Sequence, residues 1–212
     1  DEVKAFHRGE KDLKTYDSAD GVAARLMKTN RRLVLDKAQW LAQAVADLNL
    51  TDHWHCPQLP ASPQATIDLC NNLIDSHAGD PADVTLVGSS LGGYYAGHLA
   101  HTRGCRAVLL NPVIYAARDL ATQVGTHQQY HSTEPFVFLP RHVDELAALA
   151  FPKPQMHSRY FLMACTGDEV LDWKEMAVWY AGCQSRIVSG SDHSISDFPR
   201  WLPEVVQFIR AI

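Results

Sequence analysis

Residues 86–95 read LVGSSLGGYY, an apolar run broken by two adjacent serines and three glycines. The stretch leading in, DVTLVG (83–88), is short, β-branched and apolar, as a strand buried on both faces must be. The stretch leading out carries Tyr94, Tyr95, His98 and Leu99 and reads as a helix. Between them, Gly88-Ser89-Ser90-Leu91-Gly92 fits Gly-x-Ser-x-Gly with Ser90 at the centre and Ser89 as a turn residue at a variable position. A strand that bends sharply into a helix there lifts the central hydroxyl above the sheet edge. Side chains at 88 and 92 are expected to clash with the folded-back chain. The Leu91 N–H, at the helix start, would face an anion forming beside Ser90. Two blander readings compete: a plain Gly-Ser turn, or a phosphate cradle. The second lacks a Lys after the glycines and an acidic residue placed to hold a ribose.

Working outward, short apolar runs alternate with helical patterns. Asp36 is read as the cap of a helix through about residue 48, with Trp40, Leu41, Ala44, Val45 and Leu48 on one face. Ser62-Pro63 starts a second helix, with Ile67, Leu69, Leu73 and Ile74 apolar. CRAVLLNP (105–112), SRYFLMACTG (158–167) and QSRIVSG (184–190) read as further strands. WKEMAVWYAG (173–182) and residues 199–212 read as helices, and one more is expected near 142–150. Such alternation predicts a three-layer α/β fold, with a mainly parallel sheet of about five to six strands covered by helices on both faces. Residues 113–157 are less regular, with several Gln, His and Pro. Residues 1–35 break the pattern: they are charged, with one short apolar stretch at Val3–Phe6. They are read as an atypical segment rather than a domain, leaving 36–212 as the domain.

The net charge of −5 gives no basic footprint, so nucleic acid and anionic membrane are not expected partners. The apolar runs fall short of a membrane span. Five scattered cysteines without CxxC spacing suit thiols in a reducing cytoplasm. No cluster of His, Cys, Asp or Glu reads as a metal site, and no cofactor is expected.

A serine hydroxyl needs a base, and the base an orienting carboxylate. Both are sought at the carboxyl ends of later strands, in the order acid then histidine. TGDEVLDW (166–173) follows one strand and SGSDHSISDF (189–198) the last. His193 is therefore the base among eleven histidines. Asp168 is the favoured acid, with Glu169 and Asp172 as competitors; Asp172 reads more simply as a helix cap. Asp192 is read as facing solvent or holding its loop. Tyr94, Asn111 and Pro112 are read as pocket residues, against core packing for Tyr94 and strand termination for Asn111-Pro112. Phe136, Phe138, Leu139 and Phe151 could line an acyl site or equally the core. Trp173, Trp179 and Tyr180 read as core or interface.

PQLP (57–60), VGSSLGGYYA (87–96), NPV (111–113), TGDEVLDW and GSDHSISDF together resemble the YqiA/YcfP-like (UPF0227-type) esterases, bacterial α/β-hydrolases of the smallest kind. The resemblance spans about residues 36–212. It implies an α/β-hydrolase fold with minimal or no lid at residues 113–157, and hydrolysis of a small acyl ester or thioester, with Ser90, Asp168 and His193 as catalytic triad. It also implies a first strand ending in a His-Gly turn that gives the second oxyanion N–H. Here VKAFHRG (3–9) is a distorted version: Arg8 separates His7 from Gly9. Either Val3–Phe6 is that strand and the His7–Arg8 backbone contributes, or the N-terminus is replaced and the oxyanion hole is incomplete. The second outcome opens a different class of function, a weak or inactive hydrolase-fold binding protein. Lactone or carbon–carbon hydrolysis on the same triad, and a homodimer that buries residues 1–35, stay open too.

Overall fold

In the computed structural model, residues 34–47, 51–77, 79–128 and 135–211 are described. The candidate strand Val3–Phe6 and the His7 donor lie outside them. Four parallel strands form the main sheet in the order β1-β2-β5-β6: β1 (Thr85–Ser89), β2 (Arg106–Leu110), β5 (Tyr160–Cys165) and β6 (Gln184–Val188). β3 (Gly125–Gln128) and β4 (Pro135–Phe138) pair antiparallel in a separate two-stranded sheet. Of the strands expected, the described residues thus place four in the main sheet. The helices are α1 (Val34–Asp47), α2 (Pro63–His77), α3 (Leu91–Arg103), α4 (Ala116–Leu120), α5 (Pro140–Ala148), α6 (Trp173–Trp179) and α7 (Leu202–Arg210).

Period-two alternation sorts the central strands between two apolar layers. Val108, Leu110, Phe161, Met163 and Cys165 pack with Leu41 of α1 and with Val205 and Phe208 of α7. Their neighbours Ala107, Leu109, Tyr160, Leu162 and Ala164 face Ala96 and Ala100 of α3, Met176 of α6 and Tyr180. With every side chain of β5 buried, no polar residue fits there, which explains the unbroken YFLMAC run. Each large side chain so buried contributes about 1.5–3 kcal/mol. A third cluster joins α2, α3 and α5 through Ile67, Ile74, Leu99 and Leu146, and Phe138 and Phe151 belong to it. Core packing accounts for those two phenylalanines.

Several local expectations need correction. α1 starts at Val34, so Asp36 lies inside its first turn instead of capping it. Ser89 is the last residue of β1, paired in register with Leu110, and is not a turn residue. The β3–β4 hairpin falls in the stretch read as irregular. Other readings hold. Ser62 Oγ accepts the Ala65 N–H at 3.1 Å at the start of α2, and Asp172 caps α6 by accepting the Lys174 N–H at 2.9 Å.

Candidate active site

β1 delivers the chain to Ser90, whose φ of 54° and ψ of −123° fall where residues with a Cβ seldom sit. Backbone hydrogen bonds hold this turn. The Ser90 N–H donates to Leu110 O at 3.0 Å, and Ser90 O accepts the N–H of Gly93 at 2.9 Å and of Val113 at 3.1 Å. Gly88 is a steric necessity, because a Cβ there would stand 2.1 Å from Gly92 O. The expected clash at Gly92 is absent: nothing lies within 4 Å of its Cβ position, and the crowded partner is Gly93, where a Cβ would meet Pro112 Cβ at 2.7 Å. The reason is directional, since the backbone of Gly92 forms the obstacle while its own Cβ position points away. Gly93 and Tyr94 spend their N–H groups on Ser90 O. Leu91 and Gly92 precede the first bond a helix can make, so their N–H groups head the α3 terminus.

β5 delivers Asp168 and β6 delivers His193 to the same end of the sheet. The Asp168 carboxylate meets His193 Nδ1 at 2.9 and 3.0 Å, with the two side chains 0% and 5% exposed. Asp168 Oδ1 also accepts the N–H groups of Val170 at 2.8 Å and Leu171 at 2.9 Å, which fixes the carboxylate before it meets the ring. The competing acids have other work. Asp172 caps α6, and Glu169 Oε2 accepts the His193 backbone N–H at 2.9 Å. Asp192 holds its loop by accepting the Ser196 N–H at 2.8 Å. The structure therefore brings Asp168 and His193 into contact and sets Ser90 on the same edge. No hydrogen bond among the described residues joins the Ser90 hydroxyl to the imidazole.

The expected pocket residues are built into the framework. Tyr94 is 3% exposed, and its hydroxyl donates to Leu146 O at 2.8 Å. Burial raises its pKa to about 12, so it stays a neutral core phenol. Pro112 is buried against the start of α3. Asn111 is 0% exposed, with φ 42°, and its side chain reaches across to the His193 loop. The bridging roles of Asn111 and Glu169 escaped the sequence reading. The only trace was an Asn-Pro strand end, since both contacts join residues far apart in the chain. Among the described residues, no group of three or more His, Cys, Asp or Glu is arranged to hold a metal ion, and no helix is long and apolar enough to cross a membrane.

A parallel sheet between two helical layers, with a strained serine elbow after one strand and an acid–histidine pair after the last two, defines an α/β-hydrolase fold. The protein belongs to the family described as Uncharacterised protein family (UPF0227), whose model matches residues 35–210. Solved structures agree on the fold. A candidate hydrolase from Agrobacterium vitis S4 is 15% identical, with 82% of each chain covered and a TM-score of 0.55. The esterase domain of a Rhodothermus marinus protein is 16% identical, covering 69% of this chain and 67% of that one, with a TM-score of 0.50.

Proposed function

We propose that the protein is a serine hydrolase that cleaves carboxylic esters or thioesters through an acyl-enzyme. The observation that carries this reading is the buried Asp168 carboxylate on His193 Nδ1, at the sheet edge that also bears Ser90. Ser90 Oγ attacks the acyl carbonyl carbon while His193 Nε2 takes the hydroxyl proton. Asp168 accepts from Nδ1–H, which keeps Nε2 basic and then stabilises the imidazolium. The tetrahedral oxyanion accepts the Leu91 N–H. Collapse expels an alcohol or thiol that takes the proton from His193. Water, deprotonated by His193, then attacks the acyl-Ser90 carbonyl; collapse breaks the acyl–Oγ bond, His193 returns the proton to Ser90 Oγ, and the acid departs. The scheme needs no metal or cofactor. The description of the Rhodothermus marinus relative as an esterase supports the reaction class.

A fluorophosphonate probe and a short-chain chromogenic ester test the reading on wild type and Ser90→Ala. Labelling and turnover should appear in wild type and vanish in Ser90→Ala. If wild type is as unlabelled and inactive as the variant, the enzyme reading fails and the binding-module reading takes its place. Paired oxygen and thiol esters of one acyl chain then separate esterase from thioesterase.

A further inference from the structure

The His193 main chain is gripped on both sides. Its N–H donates to Glu169 Oε2 at 2.9 Å, and its carbonyl accepts from Asn111 Nδ2 at 2.9 Å. The ring Nδ1 is held by Asp168, so of the polar groups of this residue only Nε2 has no bond to the rest of the described chain. Asn111 gives more than one bond to this arrangement. Nδ2 also donates to Asp192 O at 3.1 Å, while Oδ1 accepts the Cys165 N–H at 2.8 Å. The amide thus ties the end of β5, which leads to Asp168, to the loop that carries His193. Its own main chain is fixed by an N–H to Met163 O at 2.8 Å. The residue before it, Leu110, accepts the Ser90 N–H.

We propose that Asn111 and Glu169 are positioning residues for His193, a two-sided clamp that sets the height and heading of its imidazole relative to Ser90. The proposal rests on the serine-hydrolase reading for its kinetic consequence. An amide sealed from water must bond fully or destabilise the fold. Here it spends both donors on the main chain of the histidine loop. Glu169 is exposed, so water could solvate its carboxylate, yet the side chain turns back onto the His193 N–H. Rotation about either flanking bond of His193 would break one grip or the other. The base is held without any contact to its Nε2, which is the condition for leaving that nitrogen to the substrate side. An error of about 1 Å in a reacting group costs about 10²-fold in rate, so losing one of two grips should cost on the order of 10-fold.

The test uses the intact protein and four variants. Glu169→Ala removes an exposed side chain, so it does not threaten the core. Glu169→Gln keeps an oxygen acceptor. Asn111→Asp keeps the shape but cannot donate to the two carbonyls, and Asn111→Ala removes the amide altogether. Circular dichroism checks that each is folded. Glu169→Ala should lower kcat by about 10-fold with KM within about two-fold, and Glu169→Gln should recover most of that loss. Proton NMR of the His193 Nδ1–H gives a readout that needs no turnover. Its resonance should shift and exchange faster in Glu169→Ala and Asn111→Asp, and stay near wild type in Glu169→Gln. The clamp is overturned if folded Glu169→Ala and Asn111→Asp keep the wild-type resonance and exchange rate. If wild type itself shows no turnover, the hydrolase reading falls on that result, and the resonance alone decides the clamp.

Discussion

Replacing Ser90 by glycine should make the protein more stable while removing its proposed nucleophile. Ser90 holds φ 54° and ψ −123°, a conformation that costs a residue with a Cβ about 1–3 kcal/mol. Glycine adopts it freely but loses about 0.5–1 kcal/mol more chain entropy on folding. The difference favours Ser90→Gly by about 1 kcal/mol, or about 2–4 °C in Tm for a chain of this size. Ser90→Ala is the proper reference. It keeps the Cβ and the strain, and it loses no helix cap because the Ser90 side chain makes no capping bond. Calorimetry and urea denaturation of the two variants isolate the backbone term, since both lack the hydroxyl. Neither should react with a fluorophosphonate. A Ser90→Gly Tm equal to or below that of Ser90→Ala would refute the reasoning and show that the turn is relaxed.

Three further substitutions probe the elbow and the loop that carries His193. Gly88→Ala forces a Cβ to 2.1 Å from Gly92 O and should destabilise the fold by about 1–3 kcal/mol, whereas Gly92→Ala meets nothing within 4 Å and should melt at or slightly above the wild-type temperature. Thermal melts decide; an equal loss in both variants would mean that the crowding is two-sided. Burial acts to raise the Asp197 pKa, but hydrogen bonds from the Ser191 hydroxyl at 2.5 Å and Trp201 Nε1 at 2.9 Å outweigh it and hold the value below the usual one. A depressed carboxylate stabilises above its unfolded pKa of about 3.9 and loses that contribution as pH falls through the lower folded value. The stability gap between wild type and Asp197→Asn should therefore be flat from about pH 7 to 5 and close below about pH 4 in denaturant titrations. A gap that widens on acidification would reverse the sign.

What the sequence made legible follows from how local each signal is. The two central strands stood out because burial on both faces favours an unbroken apolar run, as in residues 107–110 and Tyr160–Cys165. Ser90, Asp168 and His193 could be ordered because each comes after a recognisable strand, although β6 ahead of His193 is largely exposed. The β3–β4 hairpin escaped because Gly125–Gln128 is polar and Pro135 opens its partner, so neither alternates clearly. The Gly92 assignment failed because the spacing of glycines does not say which Cβ vector points at the backbone. Asn111 and Glu169 were misjudged for a deeper reason. Their partners are main-chain atoms of His193, 82 and 24 residues away, and a bond to a peptide group leaves no imprint on the identity of the residue that owns it.

β2 and β5 lie side by side in the sheet although the whole stretch 111–159 separates them in the chain. The pairing of these two strands is made by residues 107–110 and 160–163, so the intervening stretch is topologically an insertion between them. None of its described residues is paired in the main sheet, whose register is made by β1, β2, β5 and β6. Among the described residues, its start reaches Ser90 O through the Val113 N–H and the His193 loop through Asn111, and further on Leu146 O accepts the Tyr94 hydroxyl of α3. A swap that begins after Val113 would keep the bonds to Ser90 but would have to replace Phe138, Leu146 and Phe151, which share a core cluster with Tyr94 and Leu99 of α3.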